Sequence, residues 1–171
     1  MRKLFVFFLV CLLGCTQASG LELKSPGFGE GEMMPGKYVL EGENLSPELS
    51  WSGVPEGTKS FALIMDDPDA PRGTWVHWVI YDIPADATSL PEGVPREYKL
   101  EGGAKQGVNS FKWIGYGGPL PPPGSRHRYV FKLYALDRML NLPPGASKAV
   151  LEMRMKRHIL ASAQLIGVFQ R

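Results

Sequence analysis

Cysteine is nearly absent from this 171-residue chain: there are two, Cys11 and Cys15, both close to the N-terminus. The body that follows therefore has no disulfide, no thiol nucleophile and no thiolate metal site. Histidine is scarce as well, limited to His77, His127 and His158. Net charge is also missing. Arg2 and Lys3 account for the whole formal excess of +2, because without them 17 basic residues face 17 acidic ones. A neutral body lacks the broad cationic footprint of a nucleic-acid binder, so no nucleic-acid partner is expected. An acidic ligand would have to be met by a local site. What is plentiful is Gly (20) and Pro (15), together about a fifth of the chain against an average near 12%. That composition excludes helical bundles and coiled coils and favours a loop-rich β protein.

The N-terminus reads as an export signal. Arg2-Lys3 precedes an apolar run from Leu4 to Leu13, ten residues where a membrane-spanning helix needs about 20. A basic start, a short apolar middle and small residues at the end describe a secretory signal peptide. Its last residues, Leu12-Leu13-Gly14-Cys15, resemble a bacterial lipoprotein box, which implies cleavage after residue 14 and lipid on Cys15. Two or more acyl chains would hold the chain at a membrane, each buried methylene adding about 0.8 kcal/mol. Cleavage after Ala18 or Gly20 is the alternative and would give a soluble secreted protein. Residues 15–22 then form a tether and 23–171 one domain.

Within that domain the apolar pattern has mostly period two. Phe61, Leu63 and Met65 share a face, with Asp67 next in phase. Trp75 to Tyr81 is apolar on both faces, as a central strand should be; strict alternation puts Val76, Trp78 and Ile80 opposite Trp75, His77, Val79 and Tyr81. Tyr129 to Leu136 alternates with His127, Tyr129, Phe131 and Leu133 on one side. One segment looks helical: Ser147 is a plausible N-cap, and Leu151, Met155, Ile159, Ser162 and Leu165/Ile166 recur at steps of three and four until Gly167. The expected fold is mostly β, a two-sheet antiparallel sandwich with a C-terminal amphipathic helix.

Chemistry concentrates in two places. Asp66-Asp67-Pro68-Asp69-Ala70-Pro71 follows a strand and precedes His77. Such a run is first of all a turn, since Asp accepts backbone N–H groups and Pro fixes φ. It can also present Asp67 or Asp69 at the strand end to orient His77 and raise its pKa. The second place is Gly115-Tyr116-Gly117-Gly118-Pro119-Leu120-Pro121-Pro122-Pro123-Gly124, leading into His127-Arg128-Tyr129. A Gly/Pro loop of this kind is either a rigid surface turn or a concavity where backbone N–H groups converge on an anion. His127 begins an otherwise apolar face, so it is either a hydrogen-bonded core histidine or a pocket rim. His158 reads as a partly exposed helix residue.

These residues resemble the phosphatidylethanolamine-binding protein family, in its bacterial, Raf-kinase-inhibitor-like branch. The likeness rests on the Asp-Pro-Asp-Ala-Pro turn, His77-Trp78-Val79, Gly115-Tyr116-Gly117-Gly118-Pro119 and His127-Arg128-Tyr129-Val130-Phe131. Glu43-Asn44-Leu45-Ser46-Pro47 and Leu49-Ser50-Trp51 extend it, so that it spans Leu23 to Phe169 in order. The resemblance implies a small pocket for phosphate-like anions lined by Asp67, His77, Gly118, His127 and Tyr129. Asp69, Pro71 and Pro119 would shape it, with a cis bond before Pro71. Relatives often carry cysteines where Leu40 and Leu120 stand, which suggests that these two positions are neighbours. Trp113 and Glu48 replace residues that are usually smaller or uncharged, which bears on pocket width and rim polarity.

The expected function is that of an exported, lipid-anchored binding protein for a small anion or a phospholipid headgroup, without a cofactor. Two rivals stand beside it. One is a partner-binding domain that inhibits an extracytoplasmic enzyme. The other is a His/Asp-dependent hydrolase, or a two-His, one-carboxylate metal site, although no nucleophile-elbow serine and no helical His-x-x-x-His spacing supports it.

Overall fold

The structure, a computed structural model, describes residues 20–171; the expected signal peptide and Cys15 lie outside the described residues. Two antiparallel sheets form the body. The smaller has the order β1-β2-β5, from Glu22–Lys24, Leu49–Ser52 and Ser89–Leu90. The larger has the order β6-β4-β3-β7-β8, from Lys105–Gln106, Trp75–Pro84, Ser60–Asp67, Arg126–Leu136 and Ile159–Gln170. Among the described residues one α-helix, α1, spans Lys148–Met155.

The large sheet separates two apolar layers, which is why its central strands β3 and β4 are almost wholly buried. Phe61, Leu63, Met65, Trp78, Ile80, Tyr129, Phe131 and Leu133 pack with Leu23, Leu49 and Trp51 of the small sheet. Ala62, Ile64, Val79, Tyr81 and Leu136 pack on the other side with Leu151 and Met155 of α1. An arrangement of this kind needs both faces apolar, as the Trp75 to Tyr81 pattern predicts.

Strict alternation fails in β4. Met65 pairs with Trp78 but Asp66 pairs with Val76, so His77 is an extra residue opposite the β3 backbone. The consequence is a change of face. Val76 packs against the helix-side layer, while Trp78 joins the inter-sheet core. The bulge leaves His77 against Tyr129, on the inter-sheet side, and not with Val79 and Tyr81 as the expected alternation had it. Bulges re-aim side chains in this way and are common beside functional sites.

The C-terminal helix forms but is shorter than its apolar spacing suggests. Ser147 caps it as expected, its Oγ accepting from the Val150 amide, and Leu151 and Met155 are buried. It stops there. From Ile159 onward the chain is a twelve-residue strand paired along the whole length of β7. The residues from 159 to 167 fit either period. Pairing along the whole of β7, shifted once beside Leu160, supplies long-range backbone bonds and buries Leu165 and Val168, so tertiary pairing overrides the local helical pattern.

Candidate functional site

Three strands and two loops meet at one end of the sandwich. Asp67 is the last residue of β3, His77 is the bulged residue near the start of β4, and His127 is the second residue of β7. Together with Ala70, Pro71, Trp75, Phe111, Leu120 and Pro122 they line a cleft of about 220 Å³. All three polar side chains are buried.

Each ring is held by one nitrogen. His127 Nδ1 lies 2.7 Å from Asp67 Oδ2, and His77 Nδ1 lies 2.6 Å from the Gly117 carbonyl oxygen. Both acceptors lack a hydrogen, so each Nδ1 donates, and the proton-bearing nitrogen is thereby fixed. Neither Nε2 has a hydrogen-bond partner among the described residues. The sequence reading paired the carboxylate with His77; the structure gives it to His127, because the bulge carries His77 toward the Gly117 carbonyl. The expected rise in the His77 pKa is reversed as well. Burial pushes this imidazole below its ordinary value, against the smaller opposing pulls of the Gly117 carbonyl and the Asp67 charge.

The acidic turn is built as a bracket. Asp67 Oδ1 accepts the Asp69 amide at 2.8 Å. Asp69 then clamps Arg128: its Oδ1 takes Nη2 at 2.7 Å and its Oδ2 takes both Nε and the backbone amide at 2.9 Å. The guanidinium holds the Asp69 carboxyl down at about 2. This clamp ties the turn after β3 to the start of β7 and so fixes the Asp67–His127 pair. Pro71 lines the cleft through a trans bond, since no cis peptide occurs among the described residues; the expected cis bond is absent.

Gly118 plays a different part from the one expected. Its amide donates to Asn44 Oδ1 at 2.8 Å and is not aimed into the cleft. A Cβ there would lie 2.3 Å from the Tyr38 carbonyl oxygen, so only glycine lets the loop approach this closely. The Pro119 carbonyl accepts the Leu40 amide at 3.0 Å, which brings the backbone at Leu40 beside that of Leu120, as the paired replacement suggests. Gly118 and Pro119 thus anchor the loop whose next residue, Leu120, forms part of the cleft wall.

Tyr129 stands edge-on to His77, ring centres 5.1 Å apart. Its hydroxyl is fully buried with no hydrogen-bond partner among the described residues. Burial pushes this phenol up, with the Asp67 charge adding to the effect. Of the aromatic wall, Phe111 and Trp75 are the members that the sequence does not announce. Phe111 packs edge-on against both His77 and Trp75, at 5.4 and 5.3 Å, and Trp113 stacks flat behind it at 4.7 Å. Trp113 therefore supports the wall and leaves the width of the cleft to Phe111. Glu48 is exposed and does not line the cleft. Nothing in the spacing of Phe111 pointed to this role, but Arg128 could have been suspected from its place beside His127. His158 falls just past α1 and bonds Asp137, remote from the cleft.

Asp67 is the one carboxylate among the residues lining the cleft, so an anion is held there only with protons on the ring Nε2 atoms, which turn them into donors. Among the described residues no three His, Cys, Asp or Glu side chains converge as a metal-ligand set.

Residues 24–170 match the model of the phosphatidylethanolamine-binding protein family. A UPF0098 protein of Methanothermobacter thermautotrophicus is 50% identical over 151 residues, covering 88% of this chain and 99% of the relative. A UPF0098 protein of Aquifex aeolicus is 50% identical over 153 residues, covering 88% and 89%. The crystal structure of Escherichia coli YbcL, described as a new member of the mammalian family of these proteins, superposes with a TM-score of 0.84. It shares 38% identity, and the match covers 90% of this chain and 99% of that one.

Proposed function

Because the chain belongs to the phosphatidylethanolamine-binding protein family, we propose that the cleft between Asp67, His77 and His127 binds a phosphate-type anion, free or as a phospholipid headgroup, together with protons. The observation that carries this reading is the pair of imidazoles whose Nδ1 atoms are both committed to the wall, leaving each Nε2 for a ligand. The Tyr129 ring, edge-on to His77, backs that imidazole without lining the cleft itself. A cleft of about 220 Å³ suits a headgroup-sized fragment and not a whole lipid.

Isothermal titration with inorganic phosphate and with glycerophosphoethanolamine tests it. Binding should weaken as pH rises through the imidazole range, and His77→Ala or His127→Ala should each reduce it roughly tenfold or more. Affinity that grows on going to alkaline pH would overturn the reading. Glycerophosphoethanolamine bound more tightly than phosphate would identify a headgroup as the source of the anion. We further propose that the chain is exported and anchored through lipidated Cys15, supported by the Leu12-Leu13-Gly14-Cys15 sequence. The mass of the mature N-terminal peptide decides between that and cleavage after Ala18 or Gly20.

A further inference from the structure

Behind the aromatic wall of the cleft lies a second hollow, a groove of about 480 Å³ whose lining includes Arg96, Tyr98, Lys112, Trp113 and Gly145. The two hollows share one stack of rings. Phe111 lines the cleft, and Trp113, flat against it at 4.7 Å, lines the groove. Their charges differ in sign: the cleft lining holds a carboxylate, while the groove lining holds Arg96 and Lys112 and no carboxylate. Neither of these cations belongs to an ion pair among the described residues.

The groups around the groove are held in place from behind. Gln106, fully buried, fastens the segment that carries Arg96 and Tyr98. Its side-chain amide donates to the Pro95 and Glu97 carbonyls at 2.7 and 2.9 Å, and its backbone N–H to the Tyr98 carbonyl at 3.1 Å. The Arg96 guanidinium sits 5.1 Å over the Trp113 ring, and its stem lies on Gly115, where a Cβ would stand 3.2 Å from Arg96 Cγ. The Tyr98 ring rests on Gly145, where a Cβ would stand 3.3 Å from it, and is still 59% exposed. Lys112 has φ +73, left-handed backbone that favours glycine. The turn holds it there: Lys112 donates to the Asn109 carbonyl at 3.1 Å and Trp113 to Asn109 Oδ1 at 3.3 Å.

We propose that this groove is a second binding site, for a small aromatic acid, with its ring on the open face of Tyr98 and its carboxylate or phosphate group met by Arg96 and Lys112. Two cations without a carboxylate partner call for an anion, and a planar guanidinium suits either acid group. A tyrosine ring backed by glycine offers a flat apolar surface that is already in place. The volume fits a small molecule. No imidazole takes part, so the site stands or falls apart from the reading of the cleft.

Titration of the purified chain with sodium phenylacetate, followed by amide and ring NMR signals, tests this. Shifts should centre on Tyr98, Lys112, Trp113 and Gly145 and saturate with a dissociation constant in the millimolar range. 2-Phenylethanol, which lacks the charge, and acetate, which lacks the ring, should each bind roughly tenfold more weakly. Arg96→Gln and Tyr98→Ala should each weaken phenylacetate roughly fivefold. Lys112→Gly removes a cation but suits the left-handed backbone, so it should melt no lower than the parent and still weaken phenylacetate to a similar degree. Phenyl phosphate bound more tightly than phenylacetate would identify a phosphoryl group as the acid. Shifts centred on His77 and His127, 2-phenylethanol bound as tightly as phenylacetate, or binding indifferent to both Arg96→Gln and Lys112→Gly would overturn the proposal.

Discussion

Asp66 and Asp67 are adjacent on β3, equally buried, and face opposite sides of one sheet. Asp66 Oδ2 takes two lysines, Lys132 at 2.9 Å and Lys148 at 2.6 Å, the second reaching down from α1. Asp67 takes the His127 imidazole and the Asp69 amide. The first carboxylate meets two permanent cations in a closed contact that pins the helix to the sheet. The second meets a ring that can gain or lose a proton and whose other nitrogen borders a cleft. Burial and carboxylate chemistry are the same in both; what separates structure from site is whether the partner is titratable and has a free side.

Breaking the helix-side contact should have the largest effect on stability. Asp66→Ala leaves the half-buried Lys132 without an anion and Lys148 with only the longer Glu152 contact at 3.6 Å, and should cost about 3 kcal/mol in urea unfolding, with phosphate affinity unchanged. Part of that cost is offset because Asp66 Oδ1 is itself buried without a partner. Asp67→Ala should cost less stability, about 2 kcal/mol, yet lower phosphate affinity roughly tenfold by freeing His127. Equal affinities for the two variants would erase the distinction between the faces.

The pH dependence sharpens the same contrast. The folded His77 pKa lies below its unfolded value. Its contribution is therefore fully present above about pH 6.5 and is lost as pH falls through the lowered folded value. Melting temperature should drop over that window, and saturating phosphate should restore it; His77→Gln should flatten the step. The smallest effect belongs to the Asp69 clamp. Asp69 is held at about 2 by Arg128, so this contribution is present above the ordinary aspartate range and fades only as pH falls through about 2. Arg128→Ala should remove that acid step and, with it, the same small amount of stability at neutral pH, small because Arg128 is largely exposed.

Much of this was legible in the residues. The strands containing Phe61, Trp75 and Tyr129 announce themselves by alternation, and two of the three histidines stand beside unusual Asp/Pro and Gly/Pro turns. Two things were hidden by the same kind of cause. Alternation assumes an unbroken register, and the extra residue at His77 breaks it, so the partner of the carboxylate was misassigned. The stretch from Ile159 to Gly167 satisfies both periods, and only its pairing with β7 chooses between them. Phe111 joins the cleft from a loop with no periodicity to read.

The most direct test follows the ring nitrogens themselves. In nitrogen-15 spectra of the imidazoles, phosphate added near neutral pH should convert Nε2 of His77 and His127 from acceptor-type to protonated signals, with uptake of protons by the complex. Phosphate that binds while both Nε2 signals stay unprotonated, or that perturbs neither ring, would contradict the account.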